Sequence, residues 1–526
     1  MFSVEPQNRR QFLKQLGSGS GVVFATPYLT GVARAAGVSA ENLLRQKIEH
    51  VVVIFQENRS FDHYFGMFQP KNGRRVVNLL NVQGQLDPRF IGLQKNPAGI
   101  AYDSLPLPLD VPGFSTVQLP NQPFHMAPYI PAKGNVHWDP RHRFFRMMAE
   151  IHNGKMDRFV ALAGGSKRHL SRDEFKKMSA ERMAFDLARP SGPVLGYYTG
   201  ADLPFYHRVA HQYTLFDHFF QAMSGGSTGN ALYLAAARSC VNPGAPRDAC
   251  APFDPKVAGL EHAFFDLPYN HERTLVNDLP PVQGPTNADD VKALEIAPPP
   301  EAQTYDNIGD RLDGAKVSWA WYNENWNQVK PWALKTAFGP GDGSAVIDTG
   351  QLYVAHHNPF QYYPRWPEYV KAGHLRDSDD FLADAHSGKL PGVSFIKASA
   401  AHDEHPANCA PAYGMEWVEQ LVRAVAEGPA WGKTAIFITY DEGGGFWDSL
   451  PPKIVDAYGF GTRIPALLIS PWARQRLVDH HLASTASILK FIEIRFGLQA
   501  LNHRDHDAYD MMAAFDWDQK VQGFSL

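Results

Sequence analysis

VVVIFQENRSFDHYFG, residues 51–66, opens with five apolar residues and turns polar at Gln56, Glu57 and Asn58. An apolar run without alternation marks a strand buried on both faces, as strands of parallel sheets are. TAIFITY, 434–440, has the same form and stops at Asp441 and Glu442, followed by Gly443, Gly444 and Gly445. Three further runs read alike: KVSWAWY (316–322), PGVSFIKA (391–398) and RIPALLIS (463–470). Between them, WVEQLVRAVAEG (417–428) and ASILKFIEIRFG (486–497) carry apolar residues at helical spacing and close on glycine. This rhythm predicts an α/β fold, a mostly parallel sheet flanked by helices on both faces. Pro-rich inserts near 67–135 and 241–303 interrupt it and are expected to wall or cover a cleft.

Open α/β sheets bind ligands outside the carboxyl ends of their strands. If the strands ending at Gln56 and Tyr440 are near neighbours, Glu57, Asn58, Asp441 and Glu442 converge there. Three carboxylates so placed repel one another unless a cation lies between them. Oxygen donors with one amide suit one divalent or trivalent hard ion, calcium or magnesium first, with manganese, iron or zinc as alternatives. The glycines after Glu442 let a loop approach closely. The bland alternative is a pair of solvated strand-end turns.

AMSGGSTGNALYLAA, 222–236, sets a Gly-Gly-Ser turn before an apolar helix-like segment. Ser227 there is either an ordinary N-cap or a nucleophile at a helix N-terminus, where amides and dipole favour anions; Thr228 competes with it. Among 22 histidines, His142, His356, His357, His402, His405, His480 and His481 fall in polar, loop-like contexts. Protonated histidines stabilise phosphoryl oxygens and protonate leaving alcohols.

The chain has 526 residues, 44% of them hydrophobic, and a formal charge of −4, with no basic stripe of a nucleic-acid binder. NRRQFLKQLGSGSGVVFA, 8–25, followed by ARAA at 33–36, reads as a twin-arginine export signal over 1–36. It implies the twin-arginine machinery as partner, a periplasmic or secreted destination and no stable membrane anchor, with the folded domain over 45–526. In an oxidising compartment Cys240 and Cys250 are near enough in sequence to pair, and Cys409 is left over.

IEHVVVIFQENRSFDHYFG (48–66) resembles the entry motif of the bacterial phosphoesterase family that unites acid phosphatases and phospholipases C. DPRHRFFRMMAEIHNGKMDRFV, GYYTGADLPFYHRVAHQYTLFDHFF, GGSTGN, SWAWYNENWN, HHNPF, DEHP, TYDEGGGFWD and GTRIPALLISPWA follow in family order, so the likeness covers most of 47–500. The resemblance implies a fold like alkaline phosphatase and the sulfatases. It implies one metal held by Glu57, Asn58, Asp441 and Glu442 and reaching the Ser227 nucleophile. It places His142 (rather than nearby His137), His356, His357 and His405 around the phosphoryl group, with Asn230 of GGSTGN among the substrate contacts. The Gly-Gly-Ser segment and an end about thirty residues after IEIRFGL favour the acid phosphatase branch, whereas the phospholipase branch has Pro-Gly-Pro-Thr and appended β domains. Ala231 and Ser449 stand where the family often has histidine. The implied activity is metal-dependent hydrolysis of small phosphate monoesters through phosphoserine, with an acidic optimum. The alternatives are a phospholipase C acting on choline phosphodiesters and a non-catalytic exported phosphate- or metal-binding protein.

Overall fold

The computed structural model describes residues 39–526 apart from 72, 109–110, 135–137, 165–189, 251–266, 288–289, 292–293, 295–296 and 336–351. The export segment and His137 lie outside the described residues. The main sheet has eight strands: β1 (His50–Gln56), β2 (Thr214–Phe216), β3 (Trp319–Asn323), β4 (Leu375–Asp377), β5 (Val393–Lys397), β6 (Thr434–Tyr440), β7 (Ala466–Ile469) and β8 (Val478–Asp479). Their order is β8-β2-β7-β6-β1-β5-β3-β4. All pairings are parallel except those of β7, which runs antiparallel to both β6 and β2.

β1 and β6 are buried almost throughout, so both faces of the sheet centre are covered, as their unbroken apolar runs predict. The strand at 466–469 corrects the expectation that every such run is parallel. It returns from β6 through the loop 441–465 without a crossover helix, and its burial on both faces gives it the same apolar signature as a parallel strand.

Helices flank the sheet, among them α1 (Ser227–Ala236), α2 (Pro411–Ala426) and α3 (Thr485–Phe496). α2 begins earlier than its apolar spacing suggests, with Pro411 preset for a first turn, and its cap is Glu427 rather than a glycine. α3 starts on a Ser484–Ser487 capping box and ends at Gly497 in the left-handed conformation.

Among the described residues the inserts carry short 3-10 turns at Pro88–Phe90, Pro112–Phe114 and Arg247–Ala249 and a two-residue strand, Phe124–His125, paired in parallel with Gly196–Tyr197. No helix of the described residues is long and apolar enough to cross a membrane. Cys240 and Cys250, which their spacing would allow to pair, are free thiols. Cys240 is fully buried, whereas the Cys250 thiol donates to the Pro246 carbonyl at 3.3 Å.

Candidate active site

β1 and β6 are adjacent and parallel with Gln56 level with Tyr440, so the residues that follow emerge side by side. The pairing continues past the strands: Asp441 N donates to Gln56 O at 3.0 Å, and Arg59 N donates to Glu442 O at 3.0 Å. Glu57, Asn58, Asp441 and Glu442 are thereby brought together, all fully buried. Asn58 sits at φ 59°, a conformation asparagine tolerates, and its amide donates to Asp441 Oδ1 at 2.9 Å. The glycine run serves this approach. Gly444 has φ +61°, and a Cβ there would lie 2.4 Å from Asn58 O and 2.6 Å from Asn58 Cβ.

Ser227 is the first residue of α1. The helix cap is Gly226, and no side chain caps it, so the Ser227 hydroxyl is not spent as an N-cap. The hydroxyl donates to Glu57 Oε2 at 3.0 Å, with Glu442 Oε1 as a second acceptor at 3.4 Å. Asn230 accepts from Met223 N and donates to the carbonyls of Met223, Gly225 and Gly226, so its side chain braces the turn that carries Ser227. Asp278 docks on the helix entrance. Its carboxylate accepts from Thr228 N at 3.0 Å and from Arg143 Nη1 at 2.6 Å, and the Arg143 charge helps hold it well below the usual carboxylate range despite burial.

The histidines divide into two sides. His142 donates from Nδ1 to Pro140 O at 2.7 Å and accepts at Nε2 from Asn58 Nδ2 at 3.2 Å. The His405 ring lies 5.6 Å from it, edge to face. His405 Nδ1 accepts from Ala407 N, and burial pushes this imidazole down to about 4. On the other side, His357 Nδ1 lies 3.3 Å from Glu57 Oε1, and burial holds it well below the ordinary value. His356 packs edge-on against His357 and donates to Asp290 Oδ1 at 2.5 Å; although burial opposes it, Asp290 raises its pKa. His402 pairs with Glu324, and His480 and His481 belong to a separate sheet edge.

Sequence reasoning missed Lys397. It ends β5, level with Phe55, and its buried ammonium pairs with Glu57 Oε1. The signal was present, since a lysine closing the apolar run VSFIK obeys the same strand-end logic as Glu57. Also missed is Glu404, which accepts from Tyr64, Tyr206 and Tyr440 and so anchors the loop of His405. The leftover Cys409 is partly buried beside this loop, where its sulfur accepts from Glu404 N. The Ser449 hydroxyl accepts from Arg463, and its amide donates to Asp62.

Burial first, and Asp441 second, push both Glu57 and Glu442 well above the usual carboxylate range. Asn58 Oδ1, Asp441 Oδ2 and Glu442 Oε2 are buried without a hydrogen-bond partner. Unsatisfied buried oxygens on crowded acids are what a bound cation relieves, so the residues fit one hard ion. Among the described residues, two groups also bring three metal-ligating atoms within 4.8 Å of one another: Asp139, His142 and His405, which abuts Asn58, and Asp217, His218 and His480. The carboxylates at 57, 441 and 442 are not such a group; what recommends them is their orphaned oxygens.

Curated relatives include a non-hemolytic phospholipase C of Burkholderia pseudomallei, 26% identical over 93% of this chain and 61% of the relative. Phospholipase C B of Mycobacterium tuberculosis is 25% identical over 98% of this chain and 86% of its own length. The chain thus spans less than two thirds of the Burkholderia protein. Among solved structures, a protein in the alkaline phosphatase superfamily from Vibrio parahaemolyticus aligns over 60% of this chain and 66% of its own, at 12% identity and a TM-score of 0.30. The fold class rests on the strand order above and not on that likeness. The family model described as the Phosphoesterase family matches residues 48–499, and the chain belongs to that family.

Proposed function

We propose that this chain hydrolyses phosphate esters, monoesters foremost, by passing the phosphoryl group to Ser227 and then to water. The observation that carries the reading is the Ser227 hydroxyl: uncapped, at the head of a ten-residue helix and hydrogen-bonded to two buried carboxylates. Glu57, Asn58, Asp441, Glu442 and Ser227 would hold one cation. Three carboxylates against the Lys397 ammonium leave a formal charge of −2 (3 − 1), which favours a divalent ion such as calcium or magnesium. Bound there, such an ion lowers the pKa of the serine hydroxyl and neutralises charge on the phosphoryl oxygens.

The chain supplies the remainder. Glu57 Oε2 stands where the Ser227 proton leaves, and Glu442 Oε1 is the second acceptor. Oγ then attacks phosphorus in line with the departing alcohol, and the helix N-terminus favours the anionic group. His356, charged through Asp290, faces the developing charge with His142. His405, kept neutral by burial, donates a hydrogen bond to the departing oxygen, which leaves as the alkoxide and takes its proton from solvent, and His357 holds Glu57 in place. Water cleaves phosphoserine in the second step. Asn230 acts by bracing the Ser227 turn and not by touching substrate. The twin-arginine segment supports export to the periplasm or beyond.

A second reading, a phospholipase C acting on choline phosphodiesters, is favoured by the names of the relatives. Parallel assays with p-nitrophenyl phosphate and p-nitrophenylphosphorylcholine separate the two. Ser227→Ala should lower turnover of the preferred ester by about 10⁴-fold or more while the protein stays folded. Undiminished turnover overturns the nucleophile, and a wild type that neither turns over either ester nor traps phosphate on Ser227 supports a non-catalytic binder.

A further inference from the structure

At one edge of the sheet, a second pair of neighbouring strands repeats the strand-end logic. β2 is followed by Asp217 and His218. β8 pairs with β2 in parallel, Asp479 level with Phe216, and is followed by His480. Both imidazoles turn the same nitrogen to one fully buried carboxylate: His218 Nδ1 lies 2.7 Å and His480 Nδ1 2.8 Å from Asp217 Oδ1. Asp217 Oδ2 takes His480 Nδ1 at 2.9 Å and the Val77 amide at 2.8 Å. The rings stand edge-on with centroids 6.0 Å apart, and the two side chains are 25% and 50% exposed.

We propose that Asp217, His218 and His480 form a second metal site that takes a borderline ion of the zinc type, with water completing its shell. One imidazole suffices to pair a buried carboxylate. Two that converge through the same nitrogen, from consecutive strand ends, aim an N₂O donor set at one point. That set selects zinc-like ions over the hard cations suited to the all-oxygen site at residues 57, 58, 441 and 442. Zinc bonds of roughly 2.0–2.2 Å in tetrahedral geometry put ligand atoms about 3.4 Å apart. The imidazoles therefore need to move outward by roughly 0.6–0.7 Å, which their exposure permits. A metal here pins three segments together: the end of β2, the end of β8 and, through Val77, the insert after β1. It is a structural clamp, independent of the proposed reaction.

The test is zinc binding to the chelator-stripped full chain, followed by equilibrium dialysis and elemental analysis. The wild type should hold one more zinc equivalent than the H218A/H480A double variant, and its melting temperature should rise with zinc while that of the double variant does not. D441N, altered at the other site, should keep the equivalent that the double variant loses. Because His480 is half exposed, H480Q alone should fold normally, and it should weaken zinc binding at least about tenfold. Phosphoester turnover of H218A/H480A should stay at the wild-type level. Equal zinc stoichiometry in the wild type and H218A/H480A overturns the site, as does an unchanged zinc affinity in H480Q or loss of that equivalent in D441N.

Discussion

Lys397→Met tests how the carboxylate cluster is held. Methionine keeps an unbranched apolar stem as far as Cε and removes the ammonium that pairs with Glu57 Oε1 in a fully enclosed position. Breaking a buried ion pair and leaving one charge behind costs about 3–5 kcal/mol. An unfolding entropy of about 2.1 cal/mol/K per residue, over roughly 490 folded residues, gives about 1 kcal/mol/K, so the melting temperature should fall by about 3–5 °C. Glu57 has one escape, which is to take a proton. Its pKa in the folded state already lies above the unfolded value, so its contribution to stability is greatest at low pH and falls as pH rises toward the folded pKa. Removing Lys397 raises that folded pKa further and extends the window upward, adding about 1.4 kcal/mol for each unit of extension. The gap between variant and wild type should therefore widen as pH rises, and is compared at about pH 6 and about pH 8. Calorimetry of chelator-treated protein at both values measures it, and added calcium should narrow it by supplying the missing positive charge. A gap under about 1 °C at both values, or one that widens toward acid, refutes the role given to Lys397.

Gly444→Ala forces a Cβ to within 2.4 Å of Asn58 O at φ +61°; the backbone conformation alone costs about 1 kcal/mol. It should weaken metal binding at least about tenfold in a calcium titration, whereas Gly432→Ala, whose nearest neighbour would be 3.9 Å away, should not change it. His207 is buried with its Nε2 donating to Tyr64 O, and burial pushes its pKa down to about 4. Because the unfolded chain binds this proton first, stability should drop by up to about 3 kcal/mol as pH falls from about 6.5 to about 4. His207→Gln keeps a donor and should flatten that part of the pH–stability curve in urea unfolding; an unchanged slope would show that other groups set it.

The centre of the sheet was legible because β1 and β6 bury every position but the first of β1, and such runs leave an unbroken apolar signature. β2, β4 and β8 were not, because two or three residues cannot establish a period. The direction of β7 was hidden for a different reason: direction depends on whether the connection crosses over, which strand composition does not record. Glu57, Asn58, Asp441 and Glu442 could be read from one rule about strand ends, and that rule applied to VSFIK also reaches Lys397. Asp278 and Asp290, which orient the Ser227 helix entrance and His356, lie in the irregular insert at 241–303, where no period exists to read. The positions of the histidines came from the family resemblance, but their charge states did not. Those depend on burial and on neighbours such as Asp290, which belong to the folded chain.

Those charge states alter the account of pH. An acidic optimum driven by cationic histidines needs His357 and His405 protonated under mildly acidic conditions, yet burial holds the first well below its ordinary value and the second at about 4. On the same side of the site as His357, His356 beside Asp290 is shifted the other way. Glu57 and Glu442 move in the opposite sense: burial and Asp441 raise both, so at falling pH protons compete with the cation for the same oxygens. Each proton displaced weakens metal binding by up to about tenfold per pH unit below the relevant pKa. The acid limb of the rate profile should then be a metal-loss limb. Measured at low calcium, activity should fall as pH drops; raising calcium a hundredfold should carry the limb toward acid by one to two units, and the calcium dissociation constant should track it. A limb that stays fixed at saturating metal would place the controlling proton on a histidine after all, with His356 the first to substitute.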